Sequence, residues 1–247
     1  MANKPPPKTA VMANVTSALF VQNLSVRRGD HLVVHDVSLE IRPLELHGLV
    51  GPNGAGKTTL LEAIAGLIPA VGDVLLGPVP VDREHRKQHI FYIKDGGLPF
   101  ADERVGDVLA FAARSLRSDT LDEAVDRLEV RGLLGKRMRD LSKGERKRAL
   151  VSMALLVPRG FVLVDEPFDG LDLKQARALH NVLRTSTHEH RSLLVALASL
   201  TDAERLCDRF TLLSSGRVVG AGPLHDLRAR ARLHPGAPLE EVFFALS

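Results

Sequence analysis

The sequence predicts an α/β fold: a mostly parallel sheet with helices on both faces, entered through an antiparallel β subdomain and interrupted by an inserted helical subdomain. Three observations predict it. Strand and helix patterns alternate from Phe161 to Leu213, the rhythm of parallel strands joined by helical crossovers. The glycine-rich stretch GPNGAGKTT, Gly51 to Thr59, lies between an apolar run, LHGLV, and a helical one. From Arg104 to Gly135 the periodicity is helical only, with Val105, Val108, Leu109 and Ala112 at i, i+3, i+4 and i+7.

The chain opens with residues 1–17, MANKPPPKTAVMANVTS, whose three prolines and lack of a continuous apolar core read as a disordered tail rather than a signal peptide. Residues 18–247 read as one domain. Ala18–Val26 and Leu32–Ile41 alternate apolar residues around the turn-like Arg27-Arg28-Gly29-Asp30, an antiparallel pair. Leu46–Val50 reads as a buried strand and Thr58–Gly66 as the helix behind it; Asp73–Val81 and His89–Ile93 are further β segments. The helical insert covers about 100–157, with Thr120-x-x-Glu123 as a capping box for its second helix. A third begins at Ser142-x-x-Glu145 and stops before Pro158. Strands Phe161–Val164, Ser192–Leu197 and Arg209–Leu213 then alternate with helices Asp172–Thr185 and Thr201–Leu206. Two short helices, Pro223–Ala231 and Pro238–Leu246, make a tail over 223–247.

Composition narrows the function classes. With 45% hydrophobic and 26% charged residues, the 247-residue chain has the balance of a soluble globular protein with a sizeable core. No apolar stretch approaches the roughly 18 residues needed to span a bilayer. Net charge is only +3, so no polyanionic partner is demanded. The single cysteine, Cys207, forms no internal disulfide and builds no zinc site alone; it reads as a small buried side chain in a reducing compartment, the cytoplasm.

Gly51, Pro52, Asn53, Gly54, Ala55, Gly56, Lys57 and Thr58, followed by Thr59, satisfy the full phosphate-loop pattern in its strand-to-helix context. Glycines let backbone N–H groups point at phosphates, and the helix start adds its positive end. Lys57 would reach the terminal phosphates and the Thr58 hydroxyl would hold Mg²⁺. FVLVDEP ends a buried strand in Asp165 and Glu166, putting both carboxylates at the ligand-binding edge of an open α/β sheet. Asp165 suits the Mg²⁺ shell, and Glu166 a base that polarises attacking water. Alone, an acidic pair after a strand is more often a helix cap or turn; only the phosphate loop upstream favours the catalytic reading. In LSKGERKRALVSMALLV, Arg146-Lys147-Arg148 has the bland reading of a solvated basic face.

Taken together, GPNGAGKTT, LSKGE, FVLVDEP and DGLD (Asp169–Asp172), in this order and at these distances, resemble the nucleotide-binding domain of the ATP-binding cassette (ABC) family. The resemblance runs from about Ala18 to Gly222 and implies a P-loop NTPase fold with an ABC-type core. It implies ATP and Mg²⁺ as cofactors and a head-to-tail dimer with a second cassette. ATP would lie between one phosphate loop and the partner's signature residues, Ser142, Lys143, Gly144 and Glu145. Asp172 corresponds to the aspartate that couples the two sites.

Three positions depart from the family pattern. Asp95 stands where a glutamine usually senses Mg²⁺ and the transport partner, and Ala198 where a switch histidine contacts the γ-phosphate. A methyl group donates no hydrogen bond. His188 and His190 precede the same strand and fall at its opposite end. Ser199 and Thr201 are nearby hydroxyls, but Thr201-x-x-Glu204 is better explained as a helix cap. Arg28 stands where an aromatic residue often stacks on adenine; its guanidinium plane can stack on a base, or it is an exposed turn arginine.

The leading function is therefore the ATPase subunit of an ABC transporter, peripheral on the cytoplasmic face of the membrane through a separate permease, with hydrolysis slowed by Ala198. Docking falls to the helical region around Val105–Arg117 together with the Asp95–Phe100 loop; within it Val105, Val108 and Leu109 are assigned to the core, and the exposed neighbours Asp102, Glu103 and Arg104 are the better docking candidates. A regulatory or scaffolding cassette with little hydrolysis is the first alternative. A nucleic-acid or ribosome-associated cassette is the second, encouraged only by the basic residues between Lys136 and Arg148; no direct nucleic acid is expected.

Overall fold

Alternating apolar residues pair the first two long strands. The computed structural model describes residues 17–157, 160–187 and 191–247; the expected tail (but for Ser17), Pro158, His188 and His190 lie outside the described residues. β1 (Leu19–Arg28) and β2 (His31–Ile41) run antiparallel around Gly29-Asp30, and Arg28 is the last residue of β1, opposite His31, rather than part of the turn. β4 (Val71–Leu76) and β5 (Val79–Pro80) complete an antiparallel sheet in the order β2-β1-β4-β5.

A second sheet of six strands has the order β10-β9-β3-β8-β7-β6, comprising β3 (Leu46–Val50), β6 (Ile90–Ile93), β7 (Gly160–Asp165), β8 (Arg191–Leu197), β9 (Arg209–Ser214) and β10 (Arg217–Gly222). Its pairings are parallel except for β9 with β10. Strands covered on both faces need apolar residues in both parities. Accordingly Leu193, Val195 and Leu197 of β8 join one core cluster, while Leu194 and Ala196 join the other.

One cluster holds α1 (Lys57–Ile64) between the two sheets. The other gathers α2 (Val105–Leu116), α3 (Leu121–Arg127), α4 (Lys143–Leu155), α5 (Leu173–Thr187), α6 (Leu200–Leu206), α7 (Leu224–Arg230) and α8 (Leu239–Leu246). Val105, Val108 and Leu109 are buried at 4% exposure or less, as core residues. Buried Cys207 also behaves as expected: desolvation pushes its thiol well above the ordinary value, which leaves it unreactive.

Two of the expected caps are built differently. Thr120 precedes α3 but makes no cap bond, because its backbone (φ −94°, ψ 21°) is not extended as a capping residue's must be. Its hydroxyl pairs with Ser118 Oγ at 2.9 Å. At α6 the cap is Ser199, whose Oγ accepts from the Asp202 N–H at 3.2 Å; Thr201 lies inside the helix. Glu204 turns instead to the start of α8, accepting from the Leu239 N–H at 2.8 Å.

Parallelism positions the site. The carboxyl ends of β3, β8, β7 and β6 all emerge on one edge, bringing Gly51, Ala198, Asp165 with Glu166, and Asp95 together from four segments far apart in sequence.

Candidate functional site

The loop from Gly51 to Gly56 turns the end of β3 into the start of α1. A Cβ on Gly51 would stand 2.1 Å from the Leu213 carbonyl oxygen, so only glycine fits beneath β9. Gly56 takes φ +102° as it precedes α1, a conformation open to glycine. The first turn of α1 then presents its N–H groups at the sheet edge, where anions are stabilised. Lys57 is only 6% exposed; its Nζ donates to the Gly51 carbonyl at 2.7 Å and the Pro52 carbonyl at 3.2 Å, and lies 3.2 Å from Glu166 Oε1.

Asp165 closes the other side. Its Oδ2 accepts from the Thr58 hydroxyl at 2.7 Å, while Oδ1 is buried without a hydrogen-bond partner. Burial pushes this carboxyl above its ordinary value, with Asp95 adding repulsion; the Thr58 hydrogen bond, Lys147 and Lys57 pull the other way. An orphaned carboxylate oxygen beside a threonine hydroxyl is the hard oxygen donor set that Mg²⁺ takes with phosphate oxygens. The residues present fit that ion. The Tyr92 hydroxyl is 3.5 Å from the same Oδ2, and burial beside Asp165 raises its own ionisation well above the ordinary range.

Glu166 adopts φ +44°, a left-handed conformation at the end of β7. Its Oε2 accepts from the Ala198 N–H at 3.2 Å. Ala198, which has no side-chain donor, therefore contributes a backbone donor to the carboxylate. The Ser199 hydroxyl is committed to capping α6.

Ser142 starts α4 through a complete capping box with Glu145. Ser142 Oγ accepts from the Glu145 N–H at 3.2 Å, and the Ser142 N–H donates to Glu145 Oε2 at 2.9 Å. Lys136 pairs with Glu145 at 2.8 Å and holds that carboxyl below its ordinary value. Lys143 pairs with Asp169 in its own chain, so its charge is already engaged at DGLD. Asp172 accepts from the Gln175 N–H at 2.8 Å at the head of α5. That Asp-x-x-Gln spacing was a readable cap signal.

Two sequence expectations change here. Arg146-Lys147-Arg148 is not a solvated face. Lys147 is 4% exposed and its Nζ lies 2.6 Å from Asp95 Oδ1, while Arg148 donates to the Leu128 and Glu129 carbonyls at 3.1 Å. With Arg139 on Asp102 as well, the basic residues of this stretch that encouraged a nucleic-acid reading are largely matched by carboxylates and carbonyls. Arg28 is ion-paired to Glu62, which also takes Lys94 at 2.8 Å. A half-exposed guanidinium is thereby tethered near the phosphate-loop helix.

A family model described as ABC transporter matches residues 34–169, more than half of the chain. Among curated proteins, the hemin import ATP-binding protein of Pseudomonas aeruginosa is 35% identical over 214 residues, 81% of this chain and 84% of its own. A Nod factor export ATP-binding protein of Cupriavidus metallidurans is 32% identical over 222 residues, 86% of this chain and 73% of its own. Among solved structures, an ATP-binding subunit of an ABC transporter superposes with a TM-score of 0.84 at 27% identity, covering 92% of this chain and 98% of that one.

Proposed function

The chain belongs to the ABC transporter family as an ATP-binding subunit, and from that premise we propose that two cassettes close head to tail on ATP, hydrolyse it slowly, and drive a separate membrane permease. One observation carries the reading. Lys57, Thr58, Asp165 and Glu166, drawn from two motifs more than a hundred residues apart, meet at one sheet edge, with Thr58 Oγ1 2.7 Å from Asp165.

In this cycle Lys57 and the loop N–H groups bind the β- and γ-phosphates, and Thr58 with Asp165 would hold Mg²⁺. When bound, that ion neutralises charge on the phosphate oxygens. Glu166 accepts a proton from the water that attacks the γ-phosphorus, and the bond to the bridging oxygen of ADP breaks. Ser142 and Gly144 meet the γ-phosphate across the interface at a helix amino terminus. Ala198 supplies no side-chain donor to that phosphate. Arg28, tethered by Glu62, is the candidate to stack on the base.

The permease face lies at the helical insert. Phe100 and Phe111 are about half exposed and stack edge to face with centroids 6.0 Å apart. With Val108, Glu103 and Asp107 they line a groove of about 240 Å³. Aromatic walls under an acidic rim suit a short permease helix with an apolar face and basic flanks, at the cytoplasmic side of the membrane. Among the described residues no helix is long and apolar enough to cross a membrane. Two relatives are named for opposite directions of transport, which favours the permease, rather than the cassette, as the element that chooses cargo.

ATP hydrolysis by the wild type, Ala198→His and Glu166→Gln tests the reading. Weak wild-type turnover, a gain of at least tenfold from the histidine and near-abolition by glutamine are expected, since one transition-state donor is worth about 10²- to 10³-fold. Brisk wild-type turnover that the histidine fails to raise would overturn the slow site.

A further inference from the structure

Glu166 is a residue with a Cβ held at φ +44°, a backbone state that persists only where surrounding contacts enforce it. Its N–H donates to the Ala196 carbonyl at 3.0 Å, and its own carbonyl accepts from the Asp169 N–H at 3.3 Å. The shortest of its backbone contacts comes from outside the strand and its turn. Lys147 Nζ, on α4, donates to the Glu166 carbonyl at 2.7 Å and to the Asp165 carbonyl at 3.3 Å. The third ammonium hydrogen is taken by Asp95 Oδ1 at 2.6 Å. Three donors thus meet three acceptors, with the side chain only 4% exposed.

A buried ammonium is tolerated when a counter-charge and hydrogen-bond acceptors replace its water. Asp95 supplies that charge from the loop after β6, where it is itself partly exposed. The carboxylate at this position is therefore engaged by α4 rather than directed at the metal site.

We propose that Lys147 is a positioning residue for the hydrolytic base: its ammonium, balanced by Asp95, locks the left-handed backbone of Glu166 and aims that carboxylate at the phosphate loop. The proposal rests on the reading of Glu166 as the base. It also joins three elements that must act together, because one side chain on the signature helix grips both the catalytic strand end and the loop after β6. Charge balance alone would make Asp95 and Lys147 equivalent. Positioning makes Lys147 dominant, since asparagine at 95 still offers an acceptor and leaves both carbonyl contacts in place.

The test uses the full chain, with single-turnover ATP hydrolysis, fluorescent-ATP binding and thermal unfolding measured for each variant. Asp95→Asn, which removes the counter-charge but leaves both carbonyl contacts, is expected to lower the melting temperature and to lose less hydrolysis rate than Lys147→Met. Lys147→Met, and the charge-neutral pair Asp95→Asn with Lys147→Met, should each lose about 100-fold, the scale of an ångström-sized misplacement. All three should bind ATP within about twofold of wild type. The neutral double variant keeps the test decisive if Lys147→Met alone fails to fold. A double variant hydrolysing at the wild-type rate, or Asp95→Asn falling as far as Lys147→Met, would overturn the proposal. Glu166→Gln is the separate control: full activity there, or none in the wild type, would remove the base reading and the proposal with it.

Discussion

Asp165 joins two incompatible requirements in one side chain. At 1% exposure its carboxylate lacks water, and burial raises it above its ordinary value of 3.8, yet metal binding needs the ionised form. Folding without metal therefore makes this carboxyl hold its proton more tightly than it does in the unfolded chain. That contribution to stability is complete below the ordinary carboxyl value and is lost as pH rises through the raised folded value. Asparagine keeps an acceptor for the Thr58 hydroxyl and carries no charge. In nucleotide-free, metal-free buffer, Asp165→Asn should melt above the wild type at pH 7.5, with the gap closing as both approach pH 4; an equal or lower melting point at pH 7.5 would contradict the assignment. Added Mg²⁺ and ATP should reverse the order, because the wild type alone gains the full stabilisation of bound ligand. The sequence announced Asp165 through its strand, but the contact with Thr58 spans 107 residues. No local pattern encodes it. Lys147 was hidden more deeply: flanked by two arginines it has the pattern of a solvated face, and only Asp95, 52 residues earlier, makes its burial tenable.

Helix α4 was legible at its start because a capping box is a local device: Ser142 and Glu145 satisfy two otherwise orphaned N–H groups within four residues. The same spacing at Thr120-x-x-Glu123 failed because the backbone before α3 is not extended. Spacing records the opportunity for a cap, while the chain's entry angle decides whether it forms. In the proposed dimer Ser142 would have a second role, its hydroxyl facing the phosphate of the opposing site. Ser142→Ala should cost about 1 kcal/mol of stability in denaturant unfolding, the usual value of a lost amino-terminal cap. ATP binding by the isolated chain should stay within about twofold, because in the proposed dimer Ser142 would act across the interface. Hydrolysis should fall by at least tenfold, as for loss of a transition-state donor. A variant that lost ATP binding in proportion to hydrolysis would place Ser142 in its own chain's site instead.

On the scale of the molecule, fold class was readable because alternating strands and helices leave few arrangements, and a parallel sheet puts every strand's carboxyl end on one edge. The expectation of a dimer came only through the resemblance, since an interface between copies has no periodic signature. Its physical requirement can still be tested. In the proposed two-fold pair phosphate loop would meet signature twice, so each ATP would be held by both chains and closure would be linked to occupancy. Glu166→Gln removes the base but not the phosphate contacts, so the ATP-bound state should persist, and sedimentation with Mg²⁺ and ATP should show a dimer where the nucleotide-free chain is monomeric. Adding Lys57→Ala should abolish that dimer by abolishing nucleotide binding. Adding Gly144→Asp should abolish it differently, because a carboxylate at the partner's γ-phosphate repels it while each chain's own phosphate loop stays intact; fluorescent ATP should still bind. A Cβ on Gly144 would stand 2.9 Å from the Gly170 carbonyl oxygen, so the milder Ser142→Glu is the companion variant. If both signature variants dimerise as readily as their parent, the two chains are not joined through these residues, and the head-to-tail arrangement is wrong.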